Sequence, residues 1–375
     1  MVAPAYSAPA RDGTIVSGEM SRLTPLERSM MIVVGALTAI AGTANYGRWA
    51  PVPRFLAATL ALAGLAWTVS FATEQLGERF GPGVTGMMQS TLGNLPELFV
   101  VVFALQKHEL IVAQTAIVGS LFANAMLVLG LVIVVGAGRS RDGMMRFSHR
   151  LPRDTTTLLL ITVFIIVLLG LSLGSHDRAS HHVEVISAVG AVSLLIVYLA
   201  WAVPYLRSDA AQAEPRPAEL GRPRLSLGAT VVLLTAAGTA SAFVSDWFIA
   251  GLAPAIKQLH ISQAFAGLVI VAIAGNAVEN ATGLVLAWKG RSDLAISVVK
   301  NSVAQIAAFL FPALVLISFA LATRLTFSIA PVYVGALALM ALVVWQVTAD
   351  GEAAAFEGWA LVAIYVILAT LTLYE

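Results

Sequence analysis

The sequence predicts an all-α polytopic membrane protein with eleven transmembrane helices: one N-terminal helix, then two five-helix repeats of inverted topology. Three observations predict it. Hydrophobic residues make up 58% of the 375 positions and charged residues 11%, with a mean hydropathy of +0.86, the balance of a chain whose outer surface meets lipid. Eleven apolar runs are each long enough to cross a hydrocarbon core of about 30 Å. The run Gly93-Asn94-Leu95-Pro96-Glu97 also returns, 182 positions later, as Gly275-Asn276-Ala277-Val278-Glu279.

Residues 1–28 carry Pro, Ser, Arg and Glu without an apolar core, so a cytoplasmic tail is expected rather than a cleaved signal peptide. Residues 29–46 form the extra N-terminal helix, divided from the next span only by Gly47-Arg48 and Trp49-Ala50-Pro51. The first repeat, 49–205, holds spans at 49–72, 81–106, 109–136, 154–173 and 181–205. Segment 206–224 is the one long polar linker after the tail, and it is expected in the cytoplasm. The second repeat, 225–375, holds spans at 225–250, 262–288, 292–320, 324–347 and 357–374. Five spans is an odd number, so the halves must cross the membrane in opposite senses, as in many secondary transporters.

Orientation follows from Lys and Arg. With the N-terminus inside, 15 of the 22 basic residues fall in cytoplasmic segments and 6 outside, while Lys300 lies within a span. Arg139, Arg141, Arg146, Arg150 and Arg153 form the heaviest cluster. The prediction is a multi-pass protein of a plasma (inner) membrane, N-terminus cytoplasmic and C-terminus outside. A net charge of +1 gives no face for nucleic acid, and the absence of cysteine removes disulfides and thiolate metal sites.

The halves match beyond their motif. Gly93, Asn94, Glu97 and Lys107 pair with Gly275, Asn276, Glu279 and Lys289 at one offset, and after a one-residue shift Gly119–Asn124 lines up with Lys300–Gln305. Each half thus has a glutamate in its second span and polar groups in its third. An ionised carboxylate in a spanning segment is costly and marks a functional site. Glycine costs a helix interior about 1 kcal/mol and proline about 3 kcal/mol, so Gly93, Pro96 and Gly275 read as helix breaks. The carbonyls they free are tolerated only beside a cavity or ligand.

A hard cation such as calcium takes about six to eight oxygens. Glu97 and Glu279 would supply charge, and Asn94 and Asn276 lie on the same helical faces as their glutamates. Asn124 and Gln305 could add amide oxygens, with Ser120, Ser302 and Gln114 as further candidates. Burial and a neighbouring carboxylate both favour the protonated carboxyl, so an empty pair should take up protons that a divalent cation displaces. The expectation is exchange, with protons and metal occupying one site in turn. For Lys300, eight positions into its span, two fates are open. It is a tethered cation pairing with Glu279 or Glu97 when metal is absent, or it snorkels to the interface.

These residues resemble a known family. Ala72-Thr73-Glu74-Gln75-Leu76, Gly93-Asn94-Leu95-Pro96-Glu97-Leu98, Gln114, Gly119-Ser120 and Leu127-Val128-Leu129-Gly130 resemble the first signature region of calcium/proton exchangers of the cation/calcium exchanger superfamily. Phe265–Ile270, Gly275-Asn276-Ala277-Val278-Glu279, Asp293-Leu294-Ala295 and Gln305-Ile306-Ala307 resemble the second. The resemblance implies a midplane site with one essential glutamate from each repeat, and proton uptake in exchange for exported calcium. Three departures stand out. Asn280 replaces the histidine that usually follows the second glutamate, Gln89-Ser90-Thr91 replaces an Asn-Ala-Thr run, and Lys300-Asn301 replaces Gly-Ser.

The partners expected are calcium or another divalent cation, protons and the lipid bilayer. The ions are cargo and no cofactor is expected. A sodium- or potassium-coupled exchanger of the same fold is the alternative, ahead of a passive cation channel. An intramembrane enzyme would need a nucleophile–base pair or a metal cage, and the sequence has no Cys and no His-Glu-x-x-His.

Overall fold

A bilayer holds no water to satisfy peptide groups, so a spanning segment bonds its own backbone and the apolar runs become helices. The computed structural model describes residues 23–77, 79, 92–148, 150–211 and 224–375, less the side chains of 77, 150–152, 205–211, 278 and 279. In chain order the helices are α1 (Pro25–Tyr46), α2 (Pro51–Gly77), α3 (Leu95–Gln106), α4 (Leu110–Arg139), α5 (Arg150–Ser175) and α6 (Val183–Ala211). Then come α7 (Leu227–Leu259), α8 (Gln263–Gly275), α9 (Ala277–Trp288), α10 (Ser292–Ser318), α11 (Pro331–Thr348) and α12 (Ala355–Leu373). Two short strands, β1 (Met144–Arg146) and β2 (Glu352–Ala354), complete the set.

Among the described residues nine helices are long and apolar enough to span a membrane, and the bent pair α8–α9 makes a tenth. Of the remaining expected span, 81–106, only the second part is described, chiefly as α3; residues 80–91 lie outside the described residues.

Several boundaries move for local reasons. Thr24 and Glu27 form a capping box, Thr24 Oγ1 accepting from Glu27 N at 3.2 Å and the Glu27 carboxylate from Thr24 N at 2.8 Å. The first helix therefore starts at Pro25 rather than 29, and residues 1–22 of the expected tail lie outside the described residues. Helix α6 runs on through Ala211 into the expected linker, of which 212–223 lie outside the described residues. Helix α7 continues to Leu259 rather than stopping at 250. The tenth expected span starts at Pro331 rather than 324. The residues before it are not helical, yet Leu325, Phe327 and Ile329 are buried, with Leu325 N donating to Ser318 Oγ at 2.9 Å and Phe327 N to Ser187 Oγ at 3.2 Å. Serine hydroxyls there satisfy the backbone that helix bonds would otherwise serve.

One turn occurs twice. Lys107 N donates to Phe103 O and Lys289 N to Val285 O, both at 3.0 Å. His108 (φ 61°) matches Gly290 (φ 74°), and Glu109 (φ −90°, ψ 60°) matches Arg291 (φ −93°, ψ 65°). The α3–α4 and α9–α10 corners therefore share a backbone path at the offset of 182 that the motifs show.

Small residues set the close crossings, as is usual where lipid gives no hydrophobic drive between helices. A Cβ on Gly119 of α4 would lie 2.4 Å from Leu268 Cα of α8, and one on Gly267 would lie 2.0 Å from Thr115 Oγ1. Gly130 of α4 and Gly358 of α12 meet backbone to backbone, a Cβ on either falling 2.6 Å or less from the other's carbonyl oxygen. Strands β1 and β2 pair antiparallel, Met144 opposite Ala354 and Arg146 opposite Glu352, and Phe147 N adds a bond to Gly351 O at 2.8 Å. Arg146 bridges Asp142 at 2.7 Å and Glu352 at 3.5 Å, and its hydrogen bond holds the Asp142 carboxyl below its ordinary value. Outward faces of α5 and α6 stay apolar, with Phe164, Leu171, Val189 and Ile196 all exposed, as lipid-facing surface requires.

Candidate functional site

Each half breaks a helix at its Gly-Asn pair. Asn94 (φ −81°, ψ 5°) precedes α3, and Asn276 (φ −98°, ψ 15°) separates α8 from α9, which differ in direction by 57°. After each break the new helix opens alike, Leu98 N donating to Asn94 O and Asn280 N to Asn276 O, both at 3.0 Å. Pro96 sits in the first turn of α3, where a missing N–H leaves no helix bond unmade. Gly93 and Gly275 directly precede the two breaks. A Cβ at Gly275 would lie 2.8 Å from Glu97 Cγ and 3.0 Å from its Oε1. Glycine there lets the carboxylate of the first half rest against the backbone of the second.

Glu97 is 5% exposed and its shell comes from both halves. Its Oε1 accepts from Ser120 Oγ of α4 and from Asn276 Nδ2 at the second break. Asn276 Nδ2 also lies 3.0 Å from Ser120 Oγ and 2.9 Å from Ala272 O. Asn124 Nδ2 donates to Asn276 Oδ1 at 2.8 Å and to Ser120 O at 3.0 Å. Beside the carboxylate, Val101, Ile117, Ser120, Val271 and Leu310 help to enclose a cavity of about 10 Å³. That is about the space of one water centre.

Several buried side-chain oxygens find no hydrogen-bond partner among the described residues: Asn124 Oδ1, Ser302 Oγ and Gln305 Oε1, with Asn280 Oδ1 and Asn301 Oδ1. Leaving such an atom unsatisfied costs about 1–3 kcal/mol. A set of acceptors without donors suits a cation. Asn94, 5% exposed, has its Nδ2 without an acceptor among the described residues. Glu279 lies on α9, and its side chain is outside the described residues. Among the described residues no three His, Asp or Glu side chains converge on a metal-sized point.

Two expected members lie elsewhere. Gln114 Nε2 donates to Ser328 O at 2.7 Å, and the residue lines a separate cavity of about 320 Å³ with Tyr333 and Glu375. Lys300 is 2% exposed, and its Nζ donates to Thr156 Oγ1 of α5 at 2.6 Å and Thr348 Oγ1 of α11 at 3.3 Å. It does not snorkel to an interface, and it forms no ion pair among the described residues. Two threonine hydroxyls hold it in place of Glu97, while Glu279, the other expected partner, has its side chain outside the described residues.

Three features carried no sequence signal. They are the π-helical segments Ala123–Val128, Ala266–Val271 and Ile306–Leu310, one holding Asn124, one shortly before the Asn276 break and one just after Gln305. Such bulges loosen a helix and recur at functional sites. A Gly-x-Ser-x-Gly run does occur, Gly170–Gly174, but it lies within α5 rather than on a strand-to-helix turn. Its Ser172 Oγ donates to Asp177 Oδ1 at 2.6 Å, so it is no nucleophile elbow.

Comparison with known proteins agrees with this geometry. Residues 51–203 and 229–374 match the model of the family described as sodium/calcium exchanger protein. A Ca(2+)/H(+) antiporter of Synechocystis sp. is 27% identical over 359 residues, spanning 91% of this chain and 96% of the relative. A vacuolar calcium ion transporter of Schizosaccharomyces pombe is 29% identical over 350 residues, spanning 91% of this chain and 83% of the relative. The solved structure of native YfkE superposes with a TM-score of 0.77 at 25% identity, covering 92% of this chain and 100% of that one. Matched over most of its length, with both Gly-Asn-x-x-Glu breaks inside the matched blocks, the chain belongs to the sodium/calcium exchanger protein family.

Proposed function

We propose that the chain is a secondary antiporter that exchanges a divalent cation, calcium foremost, for protons at a mid-membrane site built on Glu97 and Glu279. The observation that carries this reading is the buried Glu97 carboxylate, held by Ser120 of its own half and Asn276 of the other. The donorless oxygens of Asn124, Gln305 and Ser302 supply ligand capacity that two glutamates alone lack. The Ca(2+)/H(+) antiporter and vacuolar calcium transporter among the relatives support the choice of ions.

In this reading the empty site holds protons on its carboxylates, and the metal displaces them as it takes up amide, hydroxyl and backbone oxygens. Two carboxylates allow up to two protons per divalent ion. Access alternates between the two membrane faces, carried by two inverted five-helix repeats behind the N-terminal helix, with the N-terminus inside and the C-terminus outside. The recurring turn at offset 182 and the two like helix breaks support the repeat assignment.

The test is calcium flux in proteoliposomes under an imposed pH gradient or an imposed sodium gradient alone, for the native chain and for Glu97→Gln and Glu279→Gln. The pH gradient should drive flux and each variant should lose it. Flux driven only by sodium, or near-native flux from both variants, defeats the proposal.

A further inference from the structure

Many described basic side chains are committed within the protein. Lys107 pairs with Asp246, Arg324 with Glu184, Arg224 with Glu27, and Arg146 with Asp142 and Glu352. Arg54 and Arg79 donate to the carbonyls of Ala250 and Leu225. Others form no ion pair among the described residues, and three of these gather where α4 and α9 end.

These two helices pack side by side, Val132 Cγ2 lying 3.3 Å from where a Cβ of Gly283 would sit, and they finish at one face. Arg139 ends α4 and Trp288 ends α9, and the Arg139 guanidinium lies 5.6 Å from the centroid of the Trp288 ring. Lys289 and Arg291 follow in the turn to α10. All four side chains are exposed. Among the described residues none of the three cations forms an ion pair. The acid nearest in sequence, Asp293, is engaged, its Oδ1 accepting from Ser148 N at 2.6 Å. The flanking surface is apolar, with Val285 49%, Trp288 66% and Leu294 43% exposed.

We infer that this junction binds an anionic phospholipid. Arg139, Lys289 and Arg291 would hold its phosphate, and the acyl chains would lie along Val285 and Trp288. Arg139, Lys289 and Arg291 outnumber the one nearby acid, Asp293, whose Oδ1 already accepts from Ser148 N, and an anion relieves the excess positive charge. The indole beneath Arg139 fixes one cation in place. Basic residues at span ends beside an apolar strip match the geometry of an anionic headgroup at the membrane surface. A free phosphate would satisfy the cations but would leave the apolar strip unused. The inference stands independently of the exchange reaction.

The test uses the purified full-length chain in detergent, titrated with phosphatidylglycerol, phosphatidylcholine or soluble glycerol 3-phosphate. Retained lipid is read by native mass spectrometry and the unfolding midpoint by a thermal melt. Phosphatidylglycerol should be retained and should raise the midpoint; the other two probes should do neither at the same concentration. The triple variant R139Q/K289Q/R291Q should retain phosphatidylglycerol at least tenfold more weakly. The control R178Q/K257Q, at the opposite ends of the spans, should bind as the native chain does. The variant R139K/R291K keeps the charge and guards against misfolding; it should retain most of the binding. Equal retention by native and triple-variant proteins overturns the inference, as does an equal loss in the control or a full midpoint shift from glycerol 3-phosphate alone.

Discussion

The side-chain amide of Asn276 donates to the carboxylate of Glu97, joining two points 179 residues apart in the chain. Each residue stands at or beside a helix break, so the bond couples the two interruptions directly. Replacing Asn276 with alanine removes that donor and the Oδ1 that accepts from Asn124. Loss of one hydrogen bond to a charged group costs about 1.5–3 kcal/mol, which is roughly 10- to 150-fold in affinity. The concentration dependence of pH-driven calcium uptake should shift by that order for Asn276→Ala. Ser120→Ala should shift it less, since Asn276 still reaches the carboxylate. The reverse ranking would contradict the network.

Glycine substitutions should separate packing from function. At Gly119 the obstacle is the Leu268 backbone, which cannot rotate away, so Gly119→Ala should lower stability by about 1–3 kcal/mol or prevent folding. At Gly275 the obstacle is the Glu97 side chain itself. Gly275→Ala should therefore cut calcium affinity while moving the thermal midpoint little. Gly35 has nothing within 4 Å, and Gly35→Ala should be neutral or stabilising by up to about 1 kcal/mol.

Lys300 should prove a packing residue rather than an ion competitor. A lone buried charge is costly to desolvate, so an apolar chain of similar length should be tolerated in its place. Lys300→Met should hold or raise the midpoint and leave calcium affinity and its pH dependence unchanged. Thr156→Val leaves the ammonium with one hydroxyl and should lower the midpoint, and the two changes should not add. A shifted calcium affinity in Lys300→Met would restore the tethered-cation reading.

The loop between α4 and α5 offers a titration. Arg146 donates to Asp142 and holds that carboxyl below its ordinary value. A depressed carboxyl stabilises the fold above its unfolded value, and that contribution is lost as pH falls through the folded one. Carbon-13 spectra of labelled aspartate should show Asp142 titrating below the usual carboxylate range, and Arg146→Gln should move it upward. An unchanged midpoint in the variant would assign the shift to another cause.

Much of the site could be read from the chain because its clues were local. Gly-Asn pairs weaken helices wherever they stand, and both breaks fall on them. Glu97, Ser120, Asn124 and Asn276, four of the expected candidates, meet in one hydrogen-bond network, while the side chain of Glu279 lies outside the described residues. What escaped depended on rotation and on distant contacts. Hydropathy reports that a stretch lies in lipid but not which way a side chain turns about its helix. Gln114 therefore turns to Ser328, and Lys300 to Thr156 and Thr348, without any cue in their neighbours. The non-helical segment before Pro331 reads as apolar because Leu325 and Phe327 are buried, although serine hydroxyls rather than helix bonds satisfy it. The three π-helical segments have no composition of their own.

The contact of Gly130 with Gly358 and the pairing of β1 with β2 act on the same two helices. Helices α4 and α12 are clasped backbone on backbone at the first turn of α12, and again just before it by a strip of sheet. Two adjoining fastenings of different kinds, glycine backbone and strand pairing, tie the start of α12 to the α4 side of the protein.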